Sequence, residues 1–346
     1  MSILHSLRSL HALRSTLRAF GLCALFVGNT AAAPLKEVTY LLPAPETLPS
    51  FAPWLIAQHK GYYAAEGYRV KFMRAKGGVD AVKQAGLGNA EFAGAIGDTA
   101  AIVRPNGIPV KAVALLGGGP LMIIGARHDA GIKTPADLKG KTVTVVSYQD
   151  TTYYALLGVL AKFGLNKSDV DIQAAGPRMV SQSVAAGTAA ACACSPDWTV
   201  HIESQRTALD LLPANRYFPT MAPAMFASDK FIAENPEAVR AIVKGTLRAM
   251  AGIMADPSKA TADYIAAVPS QAGNARQVQT ILERWAAITY PGQPLLGQMD
   301  ANTFRGLQDF YFAEKIIRKK ADVAELFTNR FVEEAAIAAP TAQAQP

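Results

Sequence analysis

The sequence predicts an open α/β protein of two lobes with a helical C-terminal region, and three observations carry that expectation. Ten short strand-like runs, Val38–Leu42, Tyr68–Phe72, Glu91–Ile96, Val110–Leu115, Leu121–Gly125, Thr142–Val146, Val170–Ala174, Ala190–Cys194, Ala208–Leu211 and Ala224–Ala227, mostly alternate with helical patterns. That alternation argues for parallel sheets with crossover helices. The chain, at 346 residues, is longer than a usual single core. A shift of 99 positions superimposes Gly77 on Gly176, Gly88 on Gly187, Ala90 on Ala189 and Asp98 on Asp197. Each copy reads as glycine turn, helix, glycine stop, small-residue strand and an aspartate-bearing loop.

The opening unit sets the pattern. Trp54, Leu55 and Ile56 lead a helix into polar Gln58, His59 and Lys60; Lys60 suits the negative helix end and Gly61 a left-handed stop. Gly67 then turns the chain into Tyr68-Arg69-Val70-Lys71-Phe72, which alternates as a half-buried strand does. After Pro236 the reading is helical throughout: Glu237–Met254, Ser258–Val268, Ala275–Ile288, Asn302–Arg318 and Asp322–Ala336, then a disordered tail.

Residues 1–33 read as an export signal. Arg8, Arg14 and Arg18 precede a short apolar run and a small-residue cleavage site near Ala32 or Ala33. Its removal lowers the formal charge by three, from +7 to +4. That balance, with no dense Lys/Arg cluster, excludes a nucleic-acid surface. Cys192 and Cys194 are two apart on a strand and share a face; they read as small buried residues, because a bond between them would be strained. His59, His128 and His201 have no metal-ligand spacing, and there is no GxSxG, P-loop or strand-following GxGxxG. No cofactor is expected, and the chain does not read as an enzyme.

The segments GYYAAEGYRV (Gly61–Val70), AGLGNAEFA (Ala85–Ala93), RPNGIPVKAVALL (Arg104–Leu116), GIKTPADLKGKTVTV (Gly131–Val145), LAKFGLNKSDV (Leu160–Val170) and FIAENPEAVRAIVKGTLRAM (Phe231–Met250) resemble, in order, the SsuA/TauA and NMT1/THI5-like periplasmic solute-binding proteins of ABC importers. The resemblance implies a type II periplasmic-binding-protein fold, with two doubly wound lobes joined by crossover strands near Met122–Arg127 and Met221–Ser228. It divides the chain into a signal peptide (1–33), lobe one (34–124), lobe two (125–224), a return to lobe one (225–336) and a tail (337–346). It also implies a periplasmic monomer that takes a small-molecule ligand to an ABC permease and its ATPase. GIKTPADLKGK has a purely structural reading as well: Thr134 caps a short helix with Pro135 first and Asp137 in its first turn, and Gly140 ends it.

One branch of the resembling family is catalytic, the thiamine-pyrimidine synthase type, which consumes its own histidine and carries a cysteine-rich run at the return crossover. Here the histidine's position holds Asp98, and MAPAMFASDKF (Met221–Phe231) has no cysteine. Both departures argue against that activity.

Helix starts facing an interlobe cleft would favour anions. Three lie in the first half. Ser50 can cap, with Phe51 or Trp54 as an apolar wall; Gly97-Asp98-Thr99 opens a second helix; Gln149-Asp150-Thr151-Thr152 opens a third. The family commonly has a Gly-Ser type turn at the third, so Gln149-Asp150 is a departure that weakens transfer of sulfonate recognition. Lobe two adds Arg178 and Ser195-Pro196-Asp197-Trp198. Arg178 could pair with a carboxylate or sulfonate, or simply start a surface helix; Trp198 could stack on a planar ligand or pack under its own loop. Asp98 and Asp197 read either as helix caps or as acceptors for a nitrogen compound such as a pyrimidine. The favoured ligand is a small carboxylate or sulfonate, aromatic in the fuller reading, and the nitrogen compound is its rival.

Overall fold

The computed structural model describes residues 34–340, so the export-signal reading and the last six residues lie outside it. The strands are β1 (Lys36–Leu42), β2 (Tyr68–Arg74), β3 (Phe92–Ile96), β4 (Val110–Leu115), β5 (Ile123–Arg127), β6 (Thr142–Val145), β7 (Asp171–Ala174), β8 (Ala191–Cys194), β9 (Leu209–Pro213) and β10 (Pro223–Ser228). The helices between them are α1 (Ala52–His59), α2 (Gly78–Gly86), α3 (Thr99–Val103), α4 (Thr151–Lys162), α5 (Gly176–Ala185) and α6 (Pro196–Ser204). After β10 come α7 (Asp229–Glu234), α8 (Pro236–Ala255), α9 (Pro257–Ala267), α10 (Ala275–Ile288), α11 (Ala301–Ala313) and α12 (Arg330–Ala335).

Two five-stranded sheets result, ordered β2-β1-β3-β10-β4 and β7-β6-β8-β5-β9. The orders match position for position. In sheet one β1 runs parallel to β2 and β3; in sheet two β6 runs parallel to β7 and β8. The sheets are mixed where the sequence predicts parallel ones. β10 is antiparallel to β3 and β4, and β5 is antiparallel to β8 and β9. Each odd strand is the one supplied by the other half of the chain. It enters its sheet from the far lobe and so runs against the local strands.

This arrangement gives the 99-residue echo its physical meaning. Gly77 and Gly176 begin the α2 and α5 units with φ of +138° and +76°, and the strands that follow, β3 and β8, occupy the same place in each sheet. Side chains of β3 and β8 are buried throughout, and small residues fill all of β8 and the middle of β3, Ala93-Gly94-Ala95.

Local signals are obeyed where caps and turns decide. Gly61 and Gly67 are left-handed, at +70° and +84°. Asp137 accepts from the Thr134 N–H at 2.8 Å and stops the helical turn Pro135–Leu138 at its start. Two C-terminal expectations change. The helix expected to reach Arg318 ends at Ala313, with Lys315 left-handed at +58°. Asp322–Ala336 is broken, because Leu326, Phe327 and Thr328 run along β4: the Ala112 N–H donates to Leu326, and the Thr328 N–H donates back to Ala112. That pairing covers the free edge of sheet one. The start of the expected tail is held too, since the Leu296 N–H donates to the Ile337 carbonyl.

Cys192 and Cys194 are joined in a disulfide, where the residues alone favoured two buried thiols. Their shared strand face brings the side chains together, and the Cα atoms are 5.5 Å apart, within the usual disulfide range.

Candidate functional site

A cavity of 570 Å³, part of it open to solvent, lies between the two sheets. Lobe one contributes the loop after β1 (Pro43, Ala44, Leu48, Ser50), Phe51 and Trp54 of the opening helix, the end of β3 and Pro223. Lobe two contributes Asp150, Thr151 and Thr152 at the start of α4, with Ser195 and Trp198 around the start of α6. The C-terminal helix α10 adds Trp285. The chain has three tryptophans, and all three line this cavity.

Its walls are fixed by packing beneath them. Trp54 meets Tyr40 of β1 edge-on at 5.6 Å and Phe51 at 6.1 Å, and Tyr40 stacks on Phe92 of β3 at 5.9 Å. Trp285 lies against Tyr290 at 5.5 Å. The Trp54 Nε1 donor is buried with no partner in hydrogen-bond geometry.

The polar groups at the helix starts are already committed to one another. Asp197 accepts from the backbone N–H of Ser50 at 2.8 Å, from Trp285 Nε1 at 3.0 Å and from Ser195 Oγ at 3.3 Å. One carboxylate of lobe two therefore ties the first helix start of lobe one to the C-terminal helix. Asp150 caps α4, accepting from Thr152 N–H at 2.9 Å and Thr152 Oγ1 at 2.7 Å, and the Gly78 amide of lobe one is also turned toward it. Burial pushes both carboxyls above the ordinary aspartate value, and the hydrogen bonds pull the other way without cancelling it.

Other contacts also hold the lobes together. The Val79 N–H donates to the Gln149 carbonyl at 3.1 Å, and Ser147 Oγ donates to the Lys76 carbonyl at 3.1 Å. Arg284 on α10 reaches Glu203 and Thr199 of α6, each at 2.8 Å. The conformation described is a closed one.

Beyond Leu48 and Trp198 a second, wider chamber of 1320 Å³ opens toward solvent, lined by Arg74, Arg178, Asp197, His201, Gln271, Asn274 and Gln277. Burial lowers the His201 pKa, so this ring is neutral at neutral pH. Arg178 stands here, outside the apolar cavity.

Eight of the residues singled out from sequence, Ser50, Phe51, Trp54, Asp150, Thr151, Thr152, Ser195 and Trp198, line the inner cavity; Arg178 and Asp197 line the outer chamber, as Trp198 also does. Gly97, Asp98, Thr99 and Gln149 line neither. Gly97 is pressed between Leu115 and Met221, and Thr99 Oγ1 donates to the Ile96 carbonyl at 2.6 Å. Asp98 does not face Asp197 across the cleft: it is buried behind β3 and accepts from the Tyr311 hydroxyl at 2.6 Å. Gln149 is exposed and uses its backbone carbonyl. Neither Asp98 nor Asp197 caps a helix with its side chain; Asp150 does. Trp285, Arg74 and His201 were not legible as site residues. Trp285 falls mid-helix, where a tryptophan reads as core.

Residues 48–260, more than half of the chain, match the NMT1/THI5-like family. The chain belongs to that family. The chain is 29% identical over 290 residues to the riboflavin-binding protein RibY of Chloroflexus aurantiacus, covering 82% of each. It is 24% identical over 234 residues to the 4-amino-5-hydroxymethyl-2-methylpyrimidine phosphate synthase of Schizosaccharomyces pombe, covering 64% of this chain and 66% of that one. Among solved structures, the alkanesulfonate-binding protein SsuA of Xanthomonas axonopodis, bound to MOPS, superimposes with a TM-score of 0.67 at 18% identity, over 86% of this chain and 100% of that one. This NMT1/THI5-like chain therefore has the periplasmic-binding-protein fold that its sequence resembles. No helix among the described residues is long and apolar enough to cross a membrane.

Proposed function

We propose that the protein is the exported solute-binding component of an ABC importer, and that its inner cavity takes the uncharged, flat aromatic ring of a nitrogen heterocycle of the flavin class. One observation carries the ligand class. The inner cavity is walled by every tryptophan of the chain, and its only ionisable side chain is the Asp150 carboxyl. Flat aromatic surfaces favour a planar ring, and a carboxylate without a facing cation disfavours an anion. The protein's own Asp150 and Asp197 already occupy the two helix starts where an anionic ligand would sit. RibY supports the same class, as a binding protein by name and the relative aligned over most of both chains. The carboxylate or sulfonate favoured from sequence becomes the second reading, supported by Arg178 in the outer chamber.

The binding role is also preferred over an enzymatic one. In the inner cavity the Thr152 hydroxyl does meet the Asp150 carboxylate, but as part of the cap of α4, and the position of the synthase histidine holds an aspartate bonded to Tyr311.

The test is a melting-temperature and tryptophan-fluorescence screen of the mature protein against riboflavin, free pyrimidines, alkanesulfonates and aromatic carboxylates. A ligand at a hundredfold excess over its Kd stabilises by about 2.7 kcal/mol. Riboflavin should raise the melting temperature and quench emission. A response confined to sulfonates or carboxylates would reverse the assignment.

A further inference from the structure

The inner cavity does not account for the whole cleft. The outer chamber meets it at Leu48 and Trp198, is the larger of the two, and is more polar than the inner one. Its two formal cations come from opposite lobes: Arg74 ends β2 in lobe one, and Arg178 lies in the first turn of α5 in lobe two. Both side chains are exposed, and neither makes an ion pair or side-chain hydrogen bond among the described residues. Six other arginines, Arg69, Arg104, Arg127, Arg240, Arg284 and Arg330, each pair with a carboxylate, so what sets Arg74 and Arg178 apart is their shared chamber and not the lack of a partner alone. The one acid of the chamber, Asp197, is 3% exposed, with its oxygens turned to Ser50, Trp285 and Ser195. His201 is occupied by Gln205 on one ring nitrogen and Gln277 on the other.

We propose that the outer chamber is a second subsite of the same ligand, built to take an anionic, hydrogen-bonding tail such as a phosphate ester, with Arg74 and Arg178 closing on it from the two lobes. This rests on the aromatic-ring reading of the inner cavity. A guanidinium matches a phosphate bidentately, and two cations on opposite lobes repel until an anion lies between them. The tail would therefore favour the closed state, while Trp198, at the junction, would mark where ring gives way to chain. An aromatic ring with a phosphorylated side chain satisfies both chambers; the ring alone satisfies one.

The experiment is isothermal titration of the mature protein with riboflavin and with riboflavin 5′-phosphate, at low and high salt, repeated on the R74Q/R178Q double variant. Both arginines are exposed, so the variant should fold, which a melting curve verifies. In the wild type the phosphate form should bind tighter by on the order of tenfold, as expected for new charge-assisted contacts at an exposed site. The advantage should shrink toward one in the variant and at high salt. Equal affinity for the two compounds in the wild type, or an advantage that survives removal of both arginines, would overturn the subsite and leave the ring assignment standing. Failure of both compounds to bind would instead overturn the ring assignment, and the subsite with it.

Discussion

Asp197 of the second lobe accepts a hydrogen bond from the backbone N–H of Ser50 in the first, across a partly buried contact of 2.8 Å. The same carboxylate takes the Trp285 indole N–H, so three distant stretches of chain converge on one side chain. Replacing Asp197 with Ala strips the acceptor from both donors. Such a loss costs about 1–3 kcal/mol. Chemical denaturation should show that drop, and small-angle scattering should show a larger radius for the ligand-free variant. A variant as stable and as compact as wild type would mean the contact does not hold the lobes shut.

Asp98 supplies a pH prediction. Burial pushes its pKa from 3.8 up to about 6, against the pull of the Tyr311 hydroxyl, and its second oxygen is buried with no partner. A carboxyl whose folded value is raised binds protons more tightly in the native state. Its contribution is complete below about pH 4 and is lost as pH rises through about 6. The loss amounts to up to about 3 kcal/mol. D98N removes the titration, so its stability relative to wild type should climb between pH 4 and pH 7. Parallel stability curves for the two proteins would contradict this.

Trp198 joins the two chambers and is the cavity tryptophan carried by lobe two. Truncating it to Ala should weaken ligand binding by on the order of 10- to 100-fold, as removal of a central aromatic contact does. Emission from Trp54 and Trp285 remains to report it. If a ligand found in the screen binds W198A as tightly as wild type, the cavity wall is not where it sits.

Gly77 is a point where the backbones of the two lobes meet. Its φ is +138°, and an added Cβ would lie 2.9 Å from the Gln149 carbonyl oxygen of the other lobe. G77A should cost about 1–2 kcal/mol from the disfavoured backbone alone. It should also hold the lobes apart, lowering ligand affinity along with stability. Full affinity in a destabilised G77A would show that closure tolerates the extra methyl.

The order of strands and helices was legible because period, caps and glycine stops act within a few residues. All ten strands fall within two residues of where alternation and small-residue runs place them at their starts. The two-lobe echo was legible for the same reason, since each half folds by the same local rules. The site was legible only in outline. Helix starts mark themselves, so Ser50, Asp150 and Ser195 stood out, but the acceptor that meets Ser50 comes from 147 residues away and was not legible.

What the tertiary structure decided is the partner at the Ser50 helix start, filled by distant Asp197, whereas Asp150 caps its own helix two residues away. An N–H exposed at the head of a helix is satisfied by whatever acceptor the fold brings to it, and here the fold brings the chain's own carboxylates. The same holds for the tryptophans: each is an ordinary apolar position in its own segment, and only the closing of two sheets and α10 gathers them into one cavity. Local chemistry specified the elements, whereas the character of the cleft depends on pairs of residues far apart in the chain, which no local rule relates.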